Sequence, residues 1–384
     1  MENTMKNLLE KAKELLKDEK KRMYVLIGAL ALVILIIGIV VMSCGKEEKQ
    51  VVNNTQKLET QTQETQVTEE PEIIPPETNL LTGLPTLTEE AVGKRPVAIM
   101  INNIRQSLPQ YGVAQADVIF EIPVEGGLSR FMALYGDYTQ VPKVCSVRSC
   151  RKYFADLSEG FDAVYVCSGM APDAQSHVES LGVTLLEYSK NASSMFGRDE
   201  NRLAQGLALE HTMYFDGTKI VDKMADLEMR TDLEEGMTGT AFHFVKDGET
   251  YIPTGDECDY VKANFGGMTA TLKYDETSNT YLKENGGNAQ VDGVTGEQLA
   301  FTNVFILETT VGDDPNGTHK TIDWVGGDTS VGYYISNGAV QKIHYRKDSV
   351  ESRLQFFDED GNELAINRGK TYIAFVNHGK VEFE

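Results

Sequence analysis

The chain has 384 residues, is 41% hydrophobic and carries 36 Lys and Arg against 58 Asp and Glu, a formal net charge of -22. That apolar share suits packed cores rather than a disordered chain, and the length leaves room for two or three domains. So acidic a surface disfavours nonspecific nucleic-acid binding, so no nucleic-acid partner is expected, and any anionic ligand needs a local positive site.

Residues 1–22 hold six Lys and one Arg, with Leu8, Leu9, Leu15 and Leu16 on one side of an expected amphipathic helix. The uncharged run "MYVLIGALALVILIIGIVVMS" at 23–43 follows, long enough to span the roughly 30 Å hydrocarbon layer of a bilayer. Only Lys46 and Lys49 lie just beyond it, which predicts a cytoplasmic N-terminus and an extracytoplasmic remainder anchored in the cell membrane. The run ends in "VMSCGK", similar to a lipoprotein cleavage box, which makes Cys44 the candidate lipidated residue. The anchor is therefore either a lipid on Cys44 or an uncleaved helix, since the apolar run exceeds an ordinary signal peptide.

Residues 44–79 are rich in Thr, Gln and Glu and end in prolines. They bury too little apolar surface to offset chain entropy, which predicts a disordered stalk. A first folded part is expected over 80–235, mixing strands ("RPVAIMINN", "DVIFEIPVE", "RFMALYGDY", "DAVYVCSG") with helices ("RKYFADLSEGF", "PDAQSHVESLG", "TKIVDKMADLEM"). Over 236–384 the texture turns to hairpins, as in "TATLKYDETSNTYLKE" and "VGYYISNGAVQKIHYRK", so the second part is expected to be β-rich and the whole ectodomain α+β. Four cysteines follow the anchor: Cys145, Cys150, Cys167 and Cys258. Cys145 and Cys150 are close enough in sequence for a disulfide; small buried thiols are the alternative.

The stretch "CSVRSCRKYF" at 145–154 places Arg148, Arg151 and Lys152 at a predicted helix start with Ser149 as its N-cap. Positive charge at that end of a helix costs from a few tenths to about 1 kcal/mol per residue, so a carboxylate or an external anion is expected to answer it. The preceding strand offers Asp117, Glu121 and Glu125 at spacing four, hence on one face, and then Arg130. These carboxylates either pair with Arg130, Arg148 and Arg151 or hold a hard cation. Gly126 and Gly127 either let another backbone come close or form a turn. His211 in "EHTMYF" is a candidate acid or base and equally a structural histidine. "DEDGNE" at 358–363 lacks calcium-loop spacing and reads as a hairpin turn. No zinc-ligand spacing, nucleophile elbow or phosphate-binding glycine loop occurs, so no cofactor and no metal are expected.

The motifs "LTGLP", "RPVAIMINN", "QADVIFE", "VEGGLSRFMALY", "VRSCRKYF", "DAVYV", "EHTMY", "VDGVTGEQL", "DWVGG" and "GKTYIAFV" occur in an order that resembles the YerB-like family of bacterial envelope lipoproteins, built on domain of unknown function 3048. The resemblance spans about residues 80–384 and implies a layered sheet-and-helix sandwich (ββα-type) in two sequential parts. It marks Asn102, Asn103, Asp117, Glu121, Glu125, Arg130, Arg148, Ser149, Arg151, Tyr153 and His211 as signature polar positions, and it brings no established activity. Cys145 and Cys150 stand where the family usually has small residues, and Cys167 where a histidine is common, which puts any shared catalytic mechanism in doubt. The function expected is a noncatalytic, membrane-anchored envelope protein binding an anionic or polyhydroxylated ligand in an Arg/Asp/Glu/Asn cleft. An enzyme acting on phosphate-linked envelope substrates, with Asp117 or Glu121 in acid or base chemistry, and an assembly scaffold binding another envelope protein are the competing classes.

Overall fold

A computed structural model describes residues 75–237 and 241–384. The cytoplasmic segment, the apolar span, Cys44 and the stalk up to residue 74 lie outside the described residues. Among the described residues no helix is long and apolar enough to cross a membrane. Thr78 and Asn79, at the end of the expected stalk, are already buried in the folded unit.

Ten strands form one mixed sheet: β1 (Val97–Asn102), β2 (Val118–Val124), β3 (Leu128–Tyr135), β4 (Val164–Cys167), β5 (Leu185–Glu187), β6 (Asn303–Thr309), β7 (Val331–Ser336), β8 (Ala339–Arg346), β9 (Gln355–Phe357) and β10 (Thr371–Asn377). Their order is β9-β8-β7-β6-β10-β2-β3-β1-β4-β5. β1, β2 and β6 are buried along their whole length, because both faces of the sheet are covered, and such strands read as continuous apolar runs. Alternation splits them between two cores. Val97, Ile99 and Ile101 share one core with Val261, Ala263 and Leu272 of a second sheet. Ala98 and Met100 share the other with Phe154 and Leu157 of helix α1 (Lys152–Glu159) and Ala174 and Val178 of α2 (Pro172–Leu181).

Strands from before and after residue 236 meet where β2 runs parallel to β10, Val118 opposite Thr371 through Glu121 opposite Ala374. The result is α+β and strand-rich. The glycine pair makes a second seam: Gly127 has φ +69°, and a Cβ there would sit 2.7 Å from the backbone nitrogen of Gly267, which donates to the Gly127 carbonyl at 2.7 Å. The β7–β8 hairpin turns on Asn337 and Gly338, both with positive φ, the requirement of a type I′ turn. α2 stops at Gly182 in the left-handed conformation, as a helix-ending glycine does.

Candidate functional site

The segment 146–151 crosses the carboxyl ends of the parallel strands β1 and β4. It is fixed by backbone bonds from Asn102 to Ser146, Arg148 to Met100, Ser168 to Arg148 and Cys150 to Gly169. Ser149 is therefore part of this crossing and not an N-cap. Its Oγ donates to the Ser168 carbonyl at 3.1 Å, and α1 begins after Arg151, which occupies the cap position without a side-chain bond to the helix. The sequence pattern overlooks this because the backbone donors of residues 148 and 150 are already taken by neighbouring strand ends.

The three arginines answer to different partners. Arg151 grips Glu125 through Nη2 at 2.6 Å and Nε at 2.9 and 3.2 Å. Burial would raise the Glu125 carboxyl, but this fork and the Lys320 backbone N–H hold it down at about 2. Arg148 reaches the exposed Glu210, with Nη1 3.2 Å from Oε2 and 3.3 Å from the backbone carbonyl, and its buried Nε has no partner among the described residues. Arg130 stands opposite Asn102 across the β1–β3 pair, is 7% exposed and donates Nη1 to the Ser149 carbonyl at 2.8 Å. Among the described residues no carboxylate lies within ion-pair distance of it. Burial first, then the charges of Arg151 and Arg148, lower its pKa to about 10.

Asn102 and His211 lie beside these arginines. The Asn102 Oδ1 accepts from Ile104 N–H, which turns Nδ2 toward His211 Nδ1 at 3.1 Å, so the histidine hydrogen sits on Nε2, 3.5 Å from Glu210 Oε1. Burial, opposed by the Glu210 charge and helped by Arg148 and Arg202, lowers the His211 pKa below its ordinary 6.5, so the neutral ring predominates at pH 7. Tyr153 is buried and donates to the Pro123 carbonyl at 2.7 Å, a strut beneath the site.

The expected row of carboxylates does not form. Asp117 and Glu125 flank β2 and Glu121 lies within it, so eight positions of nearly extended chain separate the outer two by roughly 26 Å, too far to serve one site. Asp117 accepts from Asn79 Nδ2 at 3.0 Å and Gly136 N–H at 2.7 Å, and burial raises its pKa. Glu121 faces the second sheet. Its carboxylate takes hydrogen bonds from Asn103, Ser129 and Tyr372 at 2.6–2.7 Å and pairs with Lys283 at 3.1 Å, both side chains sealed from water. Gln110 and Gln290 close the network on the Asn103 Oδ1, and Lys283 donates to Gln290 at 2.8 Å. Asn102 and Asn103, adjacent in sequence, thus face opposite sides of the sheet, and only Asn102 joins the arginines.

Lys283, Gln110, Gln290 and Tyr372 carry no signal that marks this network in advance; Lys283 alone interrupts an otherwise apolar inward position of its hairpin, beside Tyr281. Glu210, adjacent to His211, was open to inspection as the nearest acid. A cavity of about 400 Å3 lies next to the network, lined by Arg105, Leu108, Asn285, Asn288, Gln290 and Val291 among others, with no carboxylate. Among the described residues, donor atoms of Asp173, Asp314 and His319 lie within 4.8 Å of one another and form a group that could hold a cation. Lys152 already pairs with Asp173 at 3.1 Å, and the Asp314 carboxylate takes the backbone N–H groups of its own loop. Cys145, Cys150, Cys167 and Cys258 are free and buried; burial pushes Cys145 and Cys150 up to about 11, so none offers a ready thiolate.

Two family models match the chain: the N-terminal domain of the protein of unknown function DUF3048 over residues 81–230 and its C-terminal domain over 261–373. The Bacillus subtilis (strain 168) protein named "Putative lipoprotein YerB" is 28% identical over 303 residues, covering 77% of this chain and 85% of its own. The crystal structure of the YerB protein from Bacillus subtilis superposes with a TM-score of 0.69 at 26% identity, covering 82% of this chain and all of that one.

Proposed function

The chain belongs to the DUF3048 family, and we propose that it is a membrane-anchored extracytoplasmic protein that binds an oxyanion-bearing envelope ligand in the crevice between Arg130 and Arg148. The single observation that carries this reading is Arg130: a guanidinium nine-tenths buried, beside two more arginines, with no carboxylate of its own. Burying an unanswered charge is costly, and an external oxyanion would repay that cost with charge-assisted hydrogen bonds from the guanidinium donors. The lipoprotein name of the Bacillus subtilis relative and the "VMSCGK" box support the anchor on Cys44. An enzymatic reading draws no support from Asp117 or Glu121, each tied into a network away from the arginines.

The test is thermal unfolding of the full chain in a nonionic detergent with inorganic phosphate and pyrophosphate. Ligand at a hundred times Kd adds about 2.7 kcal/mol, a rise of about 4 °C for a unit of this size. Arg148→Gln, at a partly exposed position, should fold normally and lose most of that rise, and Arg130→Lys should weaken it. A melting temperature indifferent to both anions sinks the reading.

The 400 Å3 cavity favours a second ligand class, a polyhydroxylated one. Its amides Asn285 and Asn288 and the guanidinium of Arg105 offer hydrogen-bonding groups with no carboxylate among the lining residues, and the volume suits a small ligand. Calorimetry with glucose and N-acetylglucosamine, against an Asn288→Ala control, decides this reading; absence of heat with either sugar counts against it.

A further inference from the structure

Glu210 faces both Arg148 and His211. Its carboxylate spans Arg148 Nη1 at 3.2 Å and His211 Nε2 at 3.5 Å, and its side chain is 55% exposed whereas those of Arg148 and His211 are 22% and 7%. The contrast with Glu125, clamped by Arg151 at 2.6 Å and 30% exposed, separates a fixed structural pair from a loosely held one. Exposed ion pairs contribute little and are readily broken. Arg148 also donates to the Glu210 backbone carbonyl at 3.3 Å, so the guanidinium stays anchored when the side chain swings away.

We propose that Glu210 is a specificity-determining residue of the anion site, an internal carboxylate that an entering ligand must displace from Arg148 and the His211 N–H. A monoanionic carboxylate offers Arg148 no more than Glu210 already does. A phosphoryl group, with a charge of about -1.5 to -2 and three acceptor oxygens, engages Arg148, the neutral His211 Nε2–H and Arg130 together. The ligand class that follows is a phosphomonoester-type dianion rather than a carboxylate. This inference rests on the anion-binding reading of the same crevice.

The experiment is calorimetric titration of the full chain in a nonionic detergent with inorganic phosphate and, separately, acetate. Glu210→Gln, which keeps the shape and removes the charge at an exposed site, should bind phosphate up to about fivefold tighter, the equivalent of about 1 kcal/mol, and should acquire measurable acetate binding that the wild type lacks. Phosphate binding seen only in Glu210→Gln also supports the proposal. Wild-type phosphate binding left unchanged or weakened in Glu210→Gln overturns it while the anion reading stands, and equal affinity of the wild type for acetate and phosphate overturns it too. If neither protein binds phosphate, both the inference and the reading beneath it fail.

Discussion

Replacing Lys283 by Met leaves the Glu121 carboxylate sealed between the two sheets with hydrogen bonds from Asn103, Ser129 and Tyr372 but no cation. Breaking one side of a buried pair in this way costs about 3–5 kcal/mol. With an unfolding entropy of about 2 cal/mol/K per residue over roughly 300 described residues, that lowers the melting temperature by about 5–8 °C. The variant should also gain a pH dependence. An unpaired Glu121 has its folded pKa raised above the unfolded value, so its contribution is retained at low pH and lost as pH rises through the folded pKa. Lys283→Met should therefore recover more stability than the wild type does as pH is lowered from 8 towards 5. The double variant Lys283→Met with Glu121→Gln should return to within about 1–2 kcal/mol of the wild type, since the amide keeps acceptors for its neighbours and no charge remains. Differential scanning calorimetry at several pH values measures all three. A single variant within about 1 °C of the wild type, or a double variant no better than the single, refutes the reading of Glu121 and Lys283 as a mutually dependent buried pair.

Glu159 provides a second pH effect: burial raises its carboxyl from 4.5 to about 7, and Oε1 has no partner among the described residues. Its folded pKa lies above the unfolded one, so stability should be full below about pH 4.5 and fall as pH rises to 7, by about 1–2 kcal/mol after discounting for its partial exposure, and Glu159→Gln should flatten that slope in urea titrations at pH 4.5 and 7. The buried thiols should resist maleimide in native protein and react in denaturant. Counting labelled thiols by mass spectrometry then reads the anchor too, because the chain has five cysteines and lipidated Cys44 would leave only four to react. Gly127→Ala should cost about 1–3 kcal/mol, from a left-handed backbone and contact with Gly267, measured by urea unfolding; a neutral result would show that the seam relaxes.

Strands and turns were largely legible. Alternating or continuous apolar runs located β1, β2, β3 and β4, and Asn337–Gly338 announced its hairpin, since these signals are local. What was hidden was register over distance. Spacing four on an extended chain predicts Asp117, Glu121 and Glu125 on one face, but only Glu121 lies within β2, Glu125 falls in the turn after it and meets Arg151, and the three end in separate environments. Glu121 is matched by Lys283, 162 positions away in the sequence, and no spacing rule reaches that far. Ser149 looked like a cap because Ser before a basic helix usually is one; the parallel strand ends at Met100 and Ser168 claimed the neighbouring backbone first.

Asn102 and Asn103 divide the polar signature of this chain. By strand alternation, Asn103 falls on the side of Glu121, Ser129 and Lys283, where every polar atom has a partner and water is shut out. Asn102 falls on the side of Arg130 and His211, where positive charge exceeds the carboxylates that answer it. A fully satisfied buried network rigidifies and leaves nothing for a ligand to gain, whereas an unsatisfied one marks where something from outside belongs. Substitutions on the two sides should therefore separate in kind. Asn103→Ala should lower the melting temperature in buffer and leave the anion-induced rise intact, while Asn102→Ala, by freeing the His211 ring, should change the buffer value less and shrink the anion-induced rise. If both variants merely lower stability by similar amounts, with the response to phosphate unaltered in each, then His211 and Asn102 are core residues and the arginines act without them.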